Sequence, residues 1–425
     1  MEMKKYKLGE IASIYNGSTP STADKDNYDG DIVWATPKDL SDQQSKWFYK
    51  GARNITKKGF DSCSTQIIPA NNILMSSRAP IGLFAINKVD CCTNQGFKNI
   101  VLDKAIADVD FMYYFLKYHV KEIEALGTGT TFMEVSKKSF ESYEIEIPNL
   151  NIQKRIASIL SALDQKIYLN RSINRDLEAL AKQIYDYWFV QFDFPDENGR
   201  PYKSSGGMMV WNDDLKREIP EGWNNGIFAD IANITMGQSP DGSSYNEEGI
   251  GSIFYQGSTD FGVRFPSVRM FTTSPSRFAK QGDILMSVRA PVGAVNIANS
   301  DCCIGRGLSA INSKIGSITY IYYVVHYLKV RFDSLNTAGT TFGSITKDEL
   351  FKLPVVVPSD NVIERFESIC KPIFGKQMEI GFEMEQLTKQ RNELLPLLMN
   401  GQATVNPDLS NSHIFIIYGF RFEKL

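Results

Sequence analysis

The residues best suited to catalysis are few in this sequence, and their spacing matches no catalytic or metal-binding motif. Only three histidines occur, and the six cysteines form neither a metal-ligand pattern nor a disulfide framework. The sequence has no Gly-rich phosphate loop, no dinucleotide-binding fingerprint and no Pro-Pro dipeptide of an amino-methyltransferase loop. The acidic run Pro195-Asp196-Glu197 lacks the acidic-x-Lys set of a nuclease. We therefore predict no catalytic site, no metal site and no cofactor bound by this chain.

Polar side chains that recur in both halves of the chain have instead the chemistry of a binding surface. Hydroxyl and amide groups in the loops Asn16–Pro20 and Gly237–Pro240 can hydrogen-bond phosphate oxygens or base edges of DNA. The arginines at 78 and 289 suit guanine edges or phosphates, although a repeated arginine equally fits a structural ion pair. The candidate DNA-binding residues are Ser18, Thr19, Lys38, Ser77, Arg78, Thr130, Thr131, Gln238, Ser239, Gln256, Ser258, Arg289, Thr340 and Thr341.

The elements that position these side chains occur twice, because the second half of the chain restates the first. The clearest block runs from Ile73 to Gly82 and matches Ile284 to Gly293, and each copy leads into a Cys-Cys pair. The segments Trp34–Asp39 and Tyr255–Asp260 share a frame but differ at several positions. Such divergence is what two readers of different base sequences would need.

A long helix with a narrow apolar stripe follows each copy. The stripe has the alternating spacing of four and three residues that is typical of a coiled-coil seam, interrupted by polar positions that help fix register. A helix packed only on its own globular part is the alternative, but the stripe is narrow, long and present twice. The predicted pairing residues are Leu163, Ile167, Asn170, Asn174, Leu177, Ile184, Ile373, Gln377, Ile380, Met384, Leu387 and Leu394.

The resulting fold prediction is α+β: two duplicated α+β domains, each followed by a long helix, with the two helices pairing as an antiparallel coiled coil. One helix is expected around Val109 to Leu126. The stretch between the copies is rich in Pro, Gly and Ser and suits an exposed connection. The predicted boundaries are 1–150 and 224–358 for the duplicated domains, 151–192 and 359–402 for the helices, 193–223 for the linker and 403–425 for an atypical tail.

Charge and the first residues limit the kind of binding and the compartment. The net charge of −3 excludes a protein that coats nucleic acid through bulk positive charge, so any DNA contact must be local or shared with a partner. The start, Met1 to Lys7, does not have the pattern of a secretory signal, and no transmembrane run is visible. We expect a cytoplasmic protein.

The blocks, the central stretch from Phe192 to Trp223 and the ending from Arg391 to Gly401 together resemble the specificity subunit of a type I restriction-modification enzyme. The resemblance covers nearly the whole chain. It implies a non-catalytic subunit in which the two duplicated domains are target-recognition domains. Each of them reads one half of a split, asymmetric DNA site, and the helices set the gap between the halves. It also implies two modification subunits that bind S-adenosylmethionine and methylate adenine N6, and two restriction subunits that use ATP and Mg.

Two alternatives remain open from the sequence. The chain would serve equally as the specificity partner of a fused nuclease-methyltransferase of the type IIB or IIG kind, because the difference lies in the other polypeptide. A duplicated scaffold that binds proteins rather than DNA is the second alternative. The tail after Val405, with the apolar run Ile414 to Tyr418, departs from the resemblance, and its role is open.

Overall fold

The computed structural model describes residues 2–43, 45–129, 133–337 and 343–403. The chain divides into two compact units, and each unit contains a part of both long helices. The first unit comprises residues up to 169 together with those from 386 onward, and the second unit comprises 170–385. Thr130, Thr131, Thr340, Thr341 and the tail from 404 lie outside the described residues.

The first unit is built on a five-stranded sheet whose strands run in the order β2, β9, β6, β7, β5. Only the contact of β5 with β7 is parallel, and a row of isoleucines, Ile14, Ile100 and Ile73, crosses the central strands in register. The strands of this unit are β1 (Met3–Lys7), β2 (Ala12–Asn16), β3 (Tyr28–Ile32), β4 (Trp34–Ala35), β5 (Trp47–Phe48), β6 (Ile73–Ser76), β7 (Phe84–Asn87), β8 (Cys92–Thr93), β9 (Phe97–Leu102), β10 (Gly127–Thr128), β11 (Glu134–Val135) and β12 (Glu144–Pro148).

Its helices are short except where they cover the sheet. They are α1 (Leu8–Ile11), α2 (Pro37–Ser41), α3 (Lys57–Asp61), α4 (Val109–Tyr118), α5 (Val120–Ala125) and α6 (Lys137–Glu141). The single helix expected around Val109 to Leu126 is two helices, because His119 leaves the helical conformation with φ −89° and ψ 18°. Helix α4 buries six consecutive residues from Phe111 to Leu116, so it forms much of the core.

The long helix α7 (Leu150–Tyr185) begins in the first unit and continues into the second. It ends in a π-helical turn, Asp186–Val190. The segment after it was expected to be an exposed linker, and this was wrong in part: Phe194, Ile219 and Trp223 are buried in the core of the second unit. Aromatic side chains in a polar, Gly-rich stretch still gain free energy when they leave water, and here the Phe194 ring stacks on Trp223 with centroids 5.0 Å apart.

The second unit repeats the sheet of the first, with strand order β16, β24, β21, β22. The same isoleucine row recurs as Ile234, Ile311 and Ile284. Its strands are β13 (Met209–Asn212), β14 (Arg217–Pro220), β15 (Asn224–Ile227), β16 (Ala232–Met236), β17 (Tyr245–Asn246), β18 (Ser252–Tyr255), β19 (Phe271–Thr272), β20 (Phe278–Ala279), β21 (Ile284–Ser287), β22 (Val295–Ile297), β23 (Cys302–Ile304), β24 (Leu308–Ser313) and β25 (Pro354–Val357). Its helices are α8 (Phe228–Ile231), α9 (Ile318–Thr337), α10 (Lys347–Phe351) and α11 (Asp360–Met399).

Helices α7 and α11 pair in opposite directions within each unit. In the second unit Asn170 bonds Glu383 and Gln377 bonds Glu178, while in the first unit Arg391 bonds Asp164. All twelve predicted pairing residues are buried or half-buried: Leu163, Ile167, Asn170, Asn174, Gln377, Ile380 and Met384 are buried, and Leu177, Ile184, Ile373, Leu387 and Leu394 are half-buried. The predicted α+β fold with an antiparallel helical pair is confirmed.

A buried arginine, Arg264, connects the sheet-bearing part of the second unit to the long helices α7 and α11. Arg264 has only 4% of its side chain exposed and lies 3.4 Å from a Glu178 carboxylate oxygen on α7. Its guanidinium also donates to the Tyr322 hydroxyl at 3.2 Å, and it stacks over the Phe374 ring on α11. Its Nε and Nη2 atoms have no hydrogen-bond partner among the described residues, so the cation depends heavily on Glu178.

We expect Glu178→Ala to destabilise the second unit by about 2–4 kcal/mol, because it leaves a buried guanidinium without a carboxylate. Hydrogen exchange followed by mass spectrometry measures this as a lower opening free energy for amides of the second unit, with the first unit as internal reference. The matched control is Glu379→Ala, which removes an exposed ion pair with Lys376 and should cost well under ~1 kcal/mol. Equal effects of the two substitutions would contradict the assignment.

Candidate nucleic-acid interface

Four separate loops of the first unit meet at one end of its sheet. The Ser18 amide donates to the Thr93 carbonyl at 2.9 Å, and the Asn94 amide donates to the Ala35 carbonyl at 3.0 Å. The Ser77 amide reaches the Gly96 carbonyl at 2.7 Å. This packing needs a glycine, since a Cβ at Gly17 would lie 2.0 Å from the Asn94 carbonyl oxygen. Backbone contacts therefore bring the candidate side chains onto one surface.

A buried serine shapes the loop that carries Arg78. The Ser76 hydroxyl donates to the Pro80 carbonyl at 2.6 Å and accepts from the Leu83 amide at 2.9 Å. Ser287 makes the same two contacts, with the Pro291 carbonyl and the Ala294 amide, in the second unit. Sequence reasoning did not single out these serines, although both stand in the best-matched block. They hold the following loop in one conformation.

Arg78 belongs to a three-residue ion cluster. Its Nε donates to Glu134 Oε2 at 2.9 Å, and Lys98 Nζ lies 3.0 Å from Glu134 Oε1 and 3.3 Å from the Ser77 hydroxyl. Burial raises the pKa of Glu134, but hydrogen bonds and charge from Lys98 and then Arg78 outweigh burial and hold that pKa below its ordinary value. Of the two functions that the sequence left open for Arg78, the structure shows the ion pair.

The predicted residues of the first unit differ in their access to a ligand. Lys38 on α2 and Arg78 are exposed, and Ser18 and Thr19 are half-buried. The Thr19 hydroxyl bonds the Gln95 side chain. Ser77 is completely buried, and its hydroxyl accepts a hydrogen bond from Lys98. Its predicted direct contact with DNA was therefore wrong, and the side chain stabilises the loop from inside the fold. Its counterpart in the second unit is a buried valine, Val288.

The second unit assembles the same surface from its own loops. The Gln238 amide donates to the Ile304 carbonyl at 3.0 Å and the Val288 amide donates to the Gly307 carbonyl at 2.9 Å. The Ser239 hydroxyl accepts from the Arg306 amide at 3.2 Å. The Gln256 carbonyl accepts from the Gly307 amide at 3.2 Å. Gln238, Gln256 and Arg289 are exposed, and Ser239 and Ser258 are half-buried.

An open cleft of about 370 Å³ lies beside Arg289 in this unit. Its wall includes three basic residues, Arg289, Arg306 and Lys347, together with the backbone from Gly343 to Thr346. The Ala290 amide donates to the Gly343 carbonyl at 3.1 Å, and the Ile345 amide donates to the Val288 carbonyl at 2.9 Å. Arg306 and Lys347 were missed from the sequence, because in linear order they lie far from Arg289 and have no shared motif with it.

The described residues contain neither a cluster of metal-ligating side chains nor a membrane-spanning helix. Within the described ranges there is no group of three or more His, Cys, Asp or Glu side chains placed to hold a metal ion. Among those same residues, none of the helices is both long enough and apolar enough to span a membrane. All six cysteines are free, and five are buried.

Comparison with known proteins identifies relatives along nearly the whole chain. The family model of the type I restriction modification DNA specificity domain matches residues 1–179 and 220–395. The type I restriction enzyme MjaIX specificity subunit of Methanocaldococcus jannaschii is 29% identical over 416 residues, which cover 94% of this chain and 93% of the relative. The EcoR124I/EcoR124II specificity subunit of Escherichia coli is 30% identical over 200 residues, 44% of this chain and 48% of the relative.

A solved structure shares the fold. It is the crystal structure of the type I restriction-modification system S subunit from M. genitalium, with a TM-score of 0.58 and 18% identity. The match covers 94% of this chain and 96% of that chain.

We expect Glu134→Gln to lower the free energy of unfolding at pH 7 by about 1–2 kcal/mol, because Lys98 stays buried without a charged partner. The effect is small because 34% of the Glu134 side chain is exposed and water screens its charge. Since the pKa of Glu134 is lowered by folding, its stabilisation is present above the ordinary value of roughly 4.3 and is lost as pH falls through the folded value.

Unfolding of wild type and variant at a series of pH values measures this effect. The difference should shrink toward zero in acid. The control is Glu124→Gln, an exposed position on α5, which should leave the free energy of unfolding within ~0.5 kcal/mol. A difference that persists unchanged in acid would argue against the ion cluster.

Proposed function

Since the specificity-domain model matches both copies of the repeat, the chain belongs to the type I restriction-modification DNA specificity family, and we propose that each unit reads one half of a split, asymmetric site. The protein is a type I specificity subunit that recognises DNA sequence. The supporting observation is that both units assemble equivalent loops, with exposed polar and basic side chains, at the same end of equivalent sheets. Half-sites read by different side chains give an asymmetric sequence.

The chain's part in the complex is recognition without catalysis. S-adenosylmethionine, ATP and Mg would be held by partner subunits, two for modification and two for restriction. The site residues fit this division, since hydroxyl, amide and guanidinium groups suit hydrogen bonds to phosphates and base edges. The paired helices would set the gap between the half-sites. The free cysteines also fit a cytoplasmic location, because the cytoplasm keeps thiols reduced.

Helix α7 offers a surface for a modification subunit. Ile173 and Leu180 on α7 and Tyr187 in the π-helical turn are 37%, 48% and 39% exposed. They follow one another at seven-residue intervals, so they lie along one face of the helix, and this face borders the buried seam, because each of them directly precedes a buried residue, Asn174, Ala181 or Trp188. Three large apolar side chains at heptad spacing fit an apolar helix of a partner.

The alternatives of a fused nuclease-methyltransferase partner and of a protein scaffold are not favoured by the comparisons.

Co-expression with the adjacent modification subunit, followed by single-molecule mapping of N6-methyladenine in a host genome, tests the function. We expect methylation in a motif with two short defined halves and one fixed gap. A stable complex that methylates no such motif would contradict DNA recognition. A split motif whose gap varied from site to site would keep DNA recognition and contradict the role of the helices.

The docking surface has its own test. We expect Leu180→Glu with Tyr187→Glu to weaken binding of the modification subunit at least tenfold, because two carboxylates would lose their hydration in an apolar contact. The control is Ile250→Glu, an exposed apolar residue in a loop of the same unit, 59% accessible. Binding is measured by titration calorimetry with the purified modification subunit. Equal affinity for both variants would place the interface elsewhere.

A further inference from the structure

The two recognition surfaces are built alike but differ in how their basic residues are neutralised. Strand register makes Lys98 of the first unit equivalent to Ser309 of the second, since each lies opposite the matching methionine of the neighbouring strand. The bridges Arg78 to Glu134 and Arg289 to Ser344 make Glu134 equivalent to Ser344. The second unit has therefore replaced one carboxylate and one buried ammonium by serines.

In the first unit the basic residues that correspond to Arg289 and Lys347, and the buried Lys98, have acidic partners. Arg78 and Lys98 share Glu134 at 2.9 and 3.0 Å. Lys137 pairs with Glu141 at 3.5 Å. The Ser77 amide donates to the Gly96 carbonyl as the Val288 amide donates to the Gly307 carbonyl, so the two glycines are equivalent. The residue before each glycine is Arg306 in the second unit and an uncharged glutamine, Gln95, in the first. The part of the first unit that corresponds to the cleft is neutralised in this way, so it attracts a polyanion weakly.

In the second unit the basic residues of the equivalent surface have no carboxylate partner among the described residues, and Lys347 has only a cation–π contact with Phe351. Arg289, Arg306 and Lys347 are exposed around one cleft, and none has a salt bridge to a described carboxylate. The nearby Glu349 is occupied as a helix cap, accepting from the Thr346 amide and hydroxyl at 2.7 Å. Three cations on one concave surface, with no carboxylate partner in the described part of the chain, provide a site for an external anion.

We propose that this cleft, lined by Arg289, Arg306 and Lys347, binds the DNA phosphate backbone, and that the first unit has no equivalent contact through Arg78. The inference rests on the proposed DNA recognition and adds an asymmetry to it. The second unit then contributes most of the chain's own sequence-independent affinity and salt dependence, and the first unit depends more on base contacts. Two guanidinium groups suit two phosphate oxygens, since each offers paired N–H donors.

Salt titration of the complex with the modification subunit tests this. The probes are one duplex that carries the methylated site and one random-sequence duplex of equal length. For Arg289→Gln with Arg306→Gln we expect the slope of log affinity against log salt to become about 2 units less negative on both probes. At roughly 0.15 M salt this corresponds to a loss of about 30-fold in affinity, or about fivefold for each contact.

Arg78→Gln is the matched control at the equivalent position, and it should change the slope by less than ~0.3. Ser344→Glu supplies the missing carboxylate, and it should make the slope about 1 unit less negative by pairing with Arg289. All variants exchange exposed side chains, and their complexes are first compared by circular dichroism and subunit stoichiometry.

The outcomes separate this inference from the function on which it rests. A double variant that keeps the wild-type slope in an intact complex would overturn the phosphate cleft. A loss confined to the specific duplex would also overturn it, because it would indicate base reading. A wild-type complex that fails to prefer the methylated duplex over the random one would instead count against the proposed function itself.

Discussion

The fixed attachment of each recognition fold to its helices depends on a buried cation. An ammonium or guanidinium group loses several kcal/mol of hydration on burial and is tolerated only with well-placed partners. Lys46, 1% exposed, contacts Asp110, Tyr114 and Ser161, and Arg264 contacts Glu178 and Tyr322. In each unit the partners lie both on the recognition fold and on a long helix. Apolar packing alone permits sliding, whereas each of these ions meets its carboxylate partner, Asp110 or Glu178, only when the long helix and the sheet-bearing part are in register.

The duplication separates what must be kept from what is free to change. The isoleucine row, the serine that closes the loop before each cis-proline, and the tyrosine pairs Tyr113-Tyr114 and Tyr322-Tyr323 are kept. These residues are buried, except for the half-buried Ile234, and they decide where the backbone runs. The exposed positions diverge in charge, as at Glu134 and Ser344. A fold fixed from its interior can therefore present two different surfaces at the same place, which is what a reader of asymmetric sites needs.

The sequence predicted the fold well because its evidence was periodic and occurred twice. The seam, the two domains and their order all followed from repeated spacing. The site was predicted less completely. Ser77 and Arg78 are neighbours in one block, and no pattern told which of them faces inward. Glu134 is 56 residues from Arg78, so only the fold joins them. Phe194 and Trp223 stand in a stretch whose composition is typical of a linker, yet tertiary packing buries both.

A duplicated chain faces a pairing problem that its polar seam residues resolve. Because α7 and α11 are copies, like helices of two chains could pair as well as unlike helices of one. The hydrogen bonds across the seam join Asn170 to Glu383, Gln377 to Glu178 and Asp164 to Arg391. By the repeat, the counterparts of these six residues are Ile380, Ile173, Ile167, Thr388, Phe374 and Ala181. Five of them lack a side-chain polar group. Pairing of two like helices would therefore leave buried amides and charges opposite apolar side chains, at a cost of about 1–3 kcal/mol for each unsatisfied group. Only the unlike, antiparallel pair satisfies all three contacts, so divergence between the copies specifies the assembly as well as the binding surface.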